Sequence, residues 1–217
     1  MRASPQSIQS PKYPIELWIF LVLLTIGAVA ASLGKFLHDR SRRAADQAKE
    51  KATHLTVQEL GTNEYIFGIR IIGSNVFRLL VAQSLKLLEL AATPEFVFVT
   101  NNIKVIVEDI RSGISVEADP PVLHFAAKTI GYSLTWCAST LSHEAYHVFL
   151  YKAGRSREMK THFQAVEREC LNYQYNVMKK IGASRYELDH IRSSNGMHPD
   201  VNGDGRFDWD DYYSHYW

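Results

Sequence analysis

The sequence predicts an α+β fold in which a short β-sheet packs on two long helices, preceded by one membrane-spanning helix. Residues 17–34 form a run of eighteen uncharged residues. Residues 133–151 and 158–181 have the apolar periodicity of helices and contain no glycine or proline. Short β-rich runs lie between the apolar run and these helices, at 95–100, 103–107 and 113–117.

The apolar run is long enough to cross the hydrocarbon core of a membrane as a helix. The alternative is a cleaved signal peptide, because Ala28-Val29-Ala30 supplies the small residues of a cleavage site. Glu16 precedes the run, and the run continues past that site, so a retained single-pass anchor is favoured. The basic residues after the run favour a cytoplasmic domain, whereas the calcium loop described below favours the outside of the cell. The side of the membrane therefore stays open.

The remaining chain is long enough for one domain with its own core. Its formal net charge of +1 gives no indication of nucleic-acid binding. Cys137 and Cys170 lie one on each long helix, and they are either joined in an oxidising compartment or both free. The segments predicted are an N-terminal tail (1–13), the anchor (14–37), a charged juxtamembrane stalk with a solvated face (38–56), the domain (57–197), and a loop with an aromatic tail (198–217).

The first long helix carries the pattern H-E-x-x-H at His143, Glu144 and His147. Residues four apart lie one above the other on a helix, so both imidazoles can reach one metal ion. Glu144 lies beside that position, where it can take a proton from a metal-bound water. Trp136 and Thr140 continue the stripe of His143 and His147 along the same side of the helix. This spacing indicates a Zn2+ site with hydrolytic chemistry.

A catalytic zinc ion usually has three protein ligands and one open position. The second long helix offers Glu167 and Glu169, which flank its apolar stripe on opposite sides. Periodicity alone leaves both available as the third ligand.

The chain here resembles the gluzincin metallopeptidases, in which a glutamate on the next helix completes H-E-x-x-H. The resemblance covers residues 95–182 and implies a small zincin-like domain with Zn2+ as cofactor. The spacing of thermolysin-like members favours Glu167, while a ligand followed directly by a small residue, as in other gluzincins, favours Glu169. The acid that often supports a histidine in this family is missing, since Leu171 or Tyr173 stands there. Candidates for the group that stabilises the oxyanion are Tyr132, Tyr151, Tyr173 and His190.

Metzincins are a weaker match, because Leu150 and Ala153 replace the glycine and the third histidine of their extended pattern. His162 is an alternative ligand, although its position favours a surface residue. Asn101 and Asn102 predict a tight turn that joins strands at 95–100 and 103–107. The resemblance also implies a small sheet over the active-site helix, with an edge strand that binds extended peptide.

The C-terminal segment has the pattern of an EF-hand loop of the dockerin kind. Gly205 occupies the position of the sharp turn, and only six residues follow the loop. A single loop predicts a structural Ca2+ site. Its predicted ligands are Asp200, Asn202, Asp204, the carbonyl of Arg206, Asp208 and Asp211.

Together these patterns predict a membrane-anchored zinc metallopeptidase that hydrolyses a peptide or protein substrate. His143, His147 and Glu167 or Glu169 would hold zinc, and Glu144 would act as the general base. The alternative is a non-catalytic membrane-anchored module that binds a partner through its calcium loop and aromatic tail.

Overall fold

The computed structural model describes residues 15–61 and 64–197, and it has an α+β fold in which helices predominate. The predicted fold class is therefore confirmed at this level. In chain order the elements of the described part are α1 (Ile15–Thr53), α2 (Val57–Leu60), β1 (Tyr65–Ile66), β2 (Ile69–Ile72), α3 (Asn75–Ala91), α4 (Thr93–Asn102), β3 (Val105–Asp109), β4 (Gly113–Ser115), β5 (Val122–Ala126), α5 (Ala127–Tyr132), α6 (Leu134–Lys152), α7 (Ser156–Thr161), α8 (Phe163–Lys180) and α9 (Arg185–Ser193).

The chain divides into two compact units between Arg42 and Arg43. In the described residues of the first unit, apolar side chains such as Leu23, Val29 and Phe36 are exposed. Among the helices searched in the described part, one is long and apolar enough to cross a membrane, and it lies near the N-terminus, where a signal sequence would pass the same test.

The end of α1 belongs to the second unit. Its residues Ala45, Ala48 and Ala52 are buried, and Ala48 and Ala52 are part of the main hydrophobic core. The Lys49 ammonium donates a hydrogen bond of 2.8 Å to the carbonyl of Gly182. The predicted charged stalk thus keeps a solvated face, but its last turns also pack on the folded unit.

The five strands form one mixed sheet in the order β1-β2-β3-β5-β4. Strands β2, β3 and β5 are parallel, while β1 and β4 pair antiparallel with their neighbours. Parallel neighbours need a crossover, and α3 with α4 provides the one between β2 and β3. Ile71, Ile106 and Leu123 are fully buried in the core formed with the helices. In the described sheet β4 is an edge strand.

The strand predicted at 95–100 is wrong, because these residues lie in helix α4. Pro94 stands in the first turn, where a proline costs no hydrogen bond. Glu95, Val99 and Asn102 are buried on one helical face, so tertiary packing overrides the β-propensity of the phenylalanines and valines. The predicted hairpin turn is absent there too, since Asn101 and Asn102 end the helix and β3 pairs with β2 and β5 instead.

The first predicted long helix is α6, and both of its ends lie close to the predicted limits. Ser133 is its N-cap, and its side chain accepts a hydrogen bond from the Trp136 amide. The second predicted helix is interrupted at His162, which separates α7 from α8. Gly154 and Gly182 follow α6 and α8 with φ of +82° and +70°, the left-handed conformation that glycine adopts readily after a helix.

We predict that Gly182→Ala destabilises the fold more than Gly154→Ala. Both substitutions force a left-handed alanine, at a cost of about 1–2 kcal/mol. At Gly154 the added Cβ meets nothing within 4 Å, whereas at Gly182 it would lie 2.8 Å from the Cβ of Ala45. Displacing α1 should cost a further 1–3 kcal/mol, roughly. Urea unfolding followed by tryptophan fluorescence measures both, and equal losses of free energy would contradict the close contact of α1.

Candidate metal centre

Helix α6 places His143 and His147 on one face, one turn apart. Both side chains are buried, with 6% and 9% of the residue surface exposed. The two Nε2 atoms are 3.1 Å apart. Ala138, Leu141 and Ala145 are fully buried on the opposite side of α6, and this burial fixes the rotation of the helix.

Helix α8 brings Glu167 to the same point. One carboxylate oxygen lies 3.0 Å from Nε2 of His147, and the other lies 3.4 Å from Nε2 of His143. Val166 and Cys170, its neighbours on the apolar stripe, are buried together with Leu150 of α6. The side chain of Glu167 is 13% exposed, so the carboxylate is held between the helices with little access to solvent.

The spacing of these donor atoms fits a zinc ion. A tetrahedral zinc with bonds of about 2.0–2.1 Å holds its ligand atoms about 3.3–3.4 Å apart. The two Nε2 atoms are 3.1 Å apart, and they lie 3.0 Å (His147) and 3.4 Å (His143) from different oxygens of the Glu167 carboxylate. Two imidazoles and one carboxylate are also a ligand set that zinc accepts. These residues could therefore hold the ion with small adjustments.

Glu169, the other candidate ligand, has different partners. Tyr146 donates a hydrogen bond of 2.8 Å to it, and the Arg155 guanidinium donates two, of 2.8 and 3.1 Å. Burial alone would raise the pKa of Glu169, but the hydrogen bonds from Arg155 and Tyr146 hold it below its usual value. The structure thus brings Glu167 to the histidines and pairs Glu169 with a cation outside the site.

Without a metal, His147 and Glu167 form an ion pair. Burial alone would lower the pKa of His147, but the Glu167 carboxylate and Cys170 raise it well above its usual value. Burial alone would raise the pKa of Glu167, but the charge of His147 and hydrogen bonds from both histidines hold it well below. Because a metal binds neutral imidazole, a cation that enters the site has to displace the proton of His147.

Glu144 lines the cavity in front of the histidines. Burial raises its pKa above the usual value, and the nearby Glu167 carboxylate adds to this effect against the opposing charges of the histidines. A raised pKa brings a carboxylate closer to the neutral range in which a general base works best. Its position next to His143 gives it access to any group bound between the helices.

The cavity has a volume of about 700 Å3. Trp136, Thr140, His143 and His147 form one wall, as the predicted stripe on α6 requires. The lining also includes Ile114 of the edge strand β4 and Val116 of the turn after it. Phe163, Val166 and Leu171 of α8 add further apolar side chains to it.

Two of the four residues predicted as oxyanion partners line the cavity, namely Tyr132 and His190. Their rings lie 5.4 and 5.5 Å from that of Trp136, at the far end from His147. Tyr173 instead stacks on Tyr146 at 4.7 Å, and Tyr151 is not among the residues that line the cavity. His162 is exposed and hydrogen-bonded to its neighbour Thr161, 2.8 Å away.

Cys137 and Cys170 are both buried free thiols. The sulfur of Cys170 lies 3.5 Å from Nδ1 of His147, a contact that the sequence argument missed. Ligand atoms of His143, His147 and Cys170 all lie within 4.8 Å of one another, so a second donor set is available around the same histidines. Helical periodicity places Cys170 on the apolar stripe of α8 but gives no indication of a contact with His147 on α6.

The predicted calcium ligands, Asp200 to Asp211, lie outside the described residues, as do the N-terminal and aromatic tails. No protein-family profile, curated protein or solved structure matches the chain.

Proposed function

We propose that the protein is a membrane-anchored, zinc-dependent metallopeptidase with a small zincin-like domain. The observation that carries the proposal is the convergence of His143, His147 and Glu167 at the spacing of zinc ligands, beside a large cavity. Glu144 faces the same cavity with a raised pKa, as a general base requires.

In this mechanism His143, His147 and Glu167 would hold the ion. Bound zinc would act as a Lewis acid that lowers the pKa of a water molecule and polarises a carbonyl group. Glu144 takes the proton of the attacking water and passes it to the amine that leaves. The apolar part of the cavity wall lowers the local dielectric constant and so strengthens the electrostatic interactions within the site. Tyr132 and His190, the two oxyanion candidates on the cavity wall, lie beside Trp136 at the end far from His147, so neither is assigned as the oxyanion partner.

The span of the cavity along α6 favours an extended peptide as substrate. Trp136 and His147 are eleven residues apart on α6, which corresponds to about 16 Å along the helix axis and about five residues of extended chain. Strand β4 borders the cavity and is an edge strand of the described sheet, because it pairs with β5 on one side. Its other edge can add a substrate strand through backbone hydrogen bonds.

The first helix is proposed to stay attached as the membrane anchor. The exposed apolar residues of α1 support this role, and a cleaved signal peptide is the alternative. Ca2+ is proposed for the loop at 200–211 on its sequence pattern. Binding of calcium without zinc would favour the alternative function, a non-catalytic module that binds a partner.

We predict that Glu144→Gln lowers kcat for peptide hydrolysis by about 10²–10⁴-fold, the usual contribution of a general base. The zinc content should stay at the level of the unmodified protein, because Glu144 is not a proposed ligand. Glu89→Gln, which removes an acid from a surface pair with Lys86, is the matched control. Full activity of Glu144→Gln would rule out the assigned base.

We predict that Glu167→Gln and Glu169→Gln differ in zinc binding. Loss of the Glu167 carboxylate should weaken zinc binding by more than about a hundredfold. A hundredfold is the upper end of the effect of removing a residue that only supports a ligand, and Glu167 is itself a proposed ligand. Glu169→Gln should bind zinc as the unmodified protein does, because Glu169 pairs with Arg155. Competition with a chromophoric chelator measures both affinities. The reverse order would make Glu169 the ligand.

We predict that Trp136→Leu raises KM only for peptides long enough to reach the far end of the cavity. The increase should be about two- to tenfold, from the roughly 0.5–1.5 kcal/mol of an aromatic contact. Trp136→Phe is the control, because it keeps a ring at this position. An equal increase for a peptide too short to reach Trp136 would contradict a cleft of this length.

A further inference from the structure

The two ring nitrogens of His147 face different groups. Its Nε2 lies 3.0 Å from Glu167 and 3.1 Å from Nε2 of His143. Its Nδ1 lies 3.5 Å from the sulfur of Cys170, a distance at which sulfur forms a hydrogen bond. Cys170 is completely buried and stands one turn after Glu167 on α8, so the same helix contacts both nitrogens of this ring.

Two donor sets are therefore available, and they use opposite nitrogens of His147. The first joins Nε2 with Glu167 and His143. The second would use Cys170 as a ligand with both histidines, since their ligand atoms lie within 4.8 Å of one another. A zinc–sulfur bond is about 2.3 Å long. A sulfur at Nδ1 cannot approach that closely to an ion bonded to Nε2 of the same ring, so one ion cannot satisfy both sets.

Three observations favour the first set. It requires no movement of Cys170, because the Nε2 atoms and the Glu167 oxygens already have the spacing of zinc ligands. It also gives the buried Glu167 carboxylate a cation as its partner. In the second set Glu167 would not be a ligand. Finally, His143, Glu144, His147 and Glu167 all line the cavity, whereas Cys170 is not among the lining residues.

We propose that Cys170 is a positioning residue, whose sulfur accepts a hydrogen bond from Nδ1–H of His147 and thereby directs Nε2 to the metal. A histidine that binds a metal usually donates its other N–H to a carboxylate, a carbonyl or water, which fixes both the tautomer and the ring orientation. Here a thiol takes that place. The inference rests on the proposed function, because it assumes that His143, His147 and Glu167 bind zinc.

The expected effect follows from the strength of this contact. Removal of such a supporting partner typically weakens metal binding by about 10–100-fold. Sulfur is a weak acceptor, so the effect of Cys170→Ala should be near the lower end, about tenfold. Cys170→Ser keeps a small acceptor in the same place and should retain most of the affinity. Cys137→Ala is the matched control, since that thiol is also buried but is not part of the cluster around His143 and His147.

The test uses the full chain in detergent and two measurements. Competition with a chromophoric chelator gives the zinc affinity of the unmodified protein and the three variants, with circular dichroism to verify their folding. The absorption spectrum of the unmodified protein loaded with Co2+ then reports on sulfur, because a thiolate ligand produces an intense charge-transfer band in the near ultraviolet. We expect Cys170→Ala to bind zinc more weakly than Cys170→Ser, and Cys137→Ala to bind zinc as tightly as the unmodified protein. The Co2+-loaded unmodified protein should show no thiolate band.

The outcomes separate this inference from the proposed function. A thiolate band would make Cys170 a ligand and overturn its positioning role, as would equal affinities of Cys170→Ala and the unmodified protein. The band needs no variant, so it decides the matter even where Cys170→Ala fails to fold. Zinc binding with the expected order but without hydrolysis would leave the inference standing and refute the peptidase. Absence of zinc binding by the unmodified protein would refute both.

Discussion

The buried interaction of Glu167 with His143 and His147 is the one on which the rest of the candidate site depends. A charge taken out of water costs several kcal/mol unless a partner compensates it. Glu167 is almost fully buried, so positive charge has to stand beside it whenever its carboxylate is ionised. In the metal-free protein the proton on His147 supplies that charge. A zinc ion would replace the proton at the same place, with little change in the helices.

The remainder of the fold holds α6 and α8 where this interaction can form. Helices α3 and α4 contact α6. Because Ala138, Leu141 and Ala145 are buried on one face of α6, the orientation of the helix about its axis is fixed and its histidines face the cavity. Strand β4 contacts the same helix. The sheet is small, yet its edge strand β4 lines the same cavity as the histidines. The cavity wall and the hydrophobic core are therefore two faces of one helix.

The sequence predicted those parts of the site that depend on spacing along a single helix. The limits of α6 and the stripe from Trp136 to His147 follow from helical periodicity, which needs no knowledge of the neighbours. The choice between Glu167 and Glu169 could not be made in this way, because both flank the apolar stripe. The side chain of Glu169 is directed away from the histidines by its ion pair with Arg155, which periodicity does not reveal. Helix α4 was mistaken for a strand because Phe and Val favour strands, and only packing against α6 reveals the helical face. The contact of Cys170 with His147 joins two helices, so the periodicity of either one is silent about it.

Glu144 and Glu167 show how one cavity can assign opposite roles to two carboxylates. Burial raises the pKa of both groups, but the cationic His147 reverses the effect for Glu167, whose carboxylate it contacts. Glu144 lacks a contact of that strength, so burial dominates, and the ionised Glu167 raises its pKa further. Carboxylates whose pKa values are pushed apart can divide the work of ligand and base between them. The ionised state of Glu167 thus both favours a positive charge beside His147 and makes Glu144 the better acceptor of a proton.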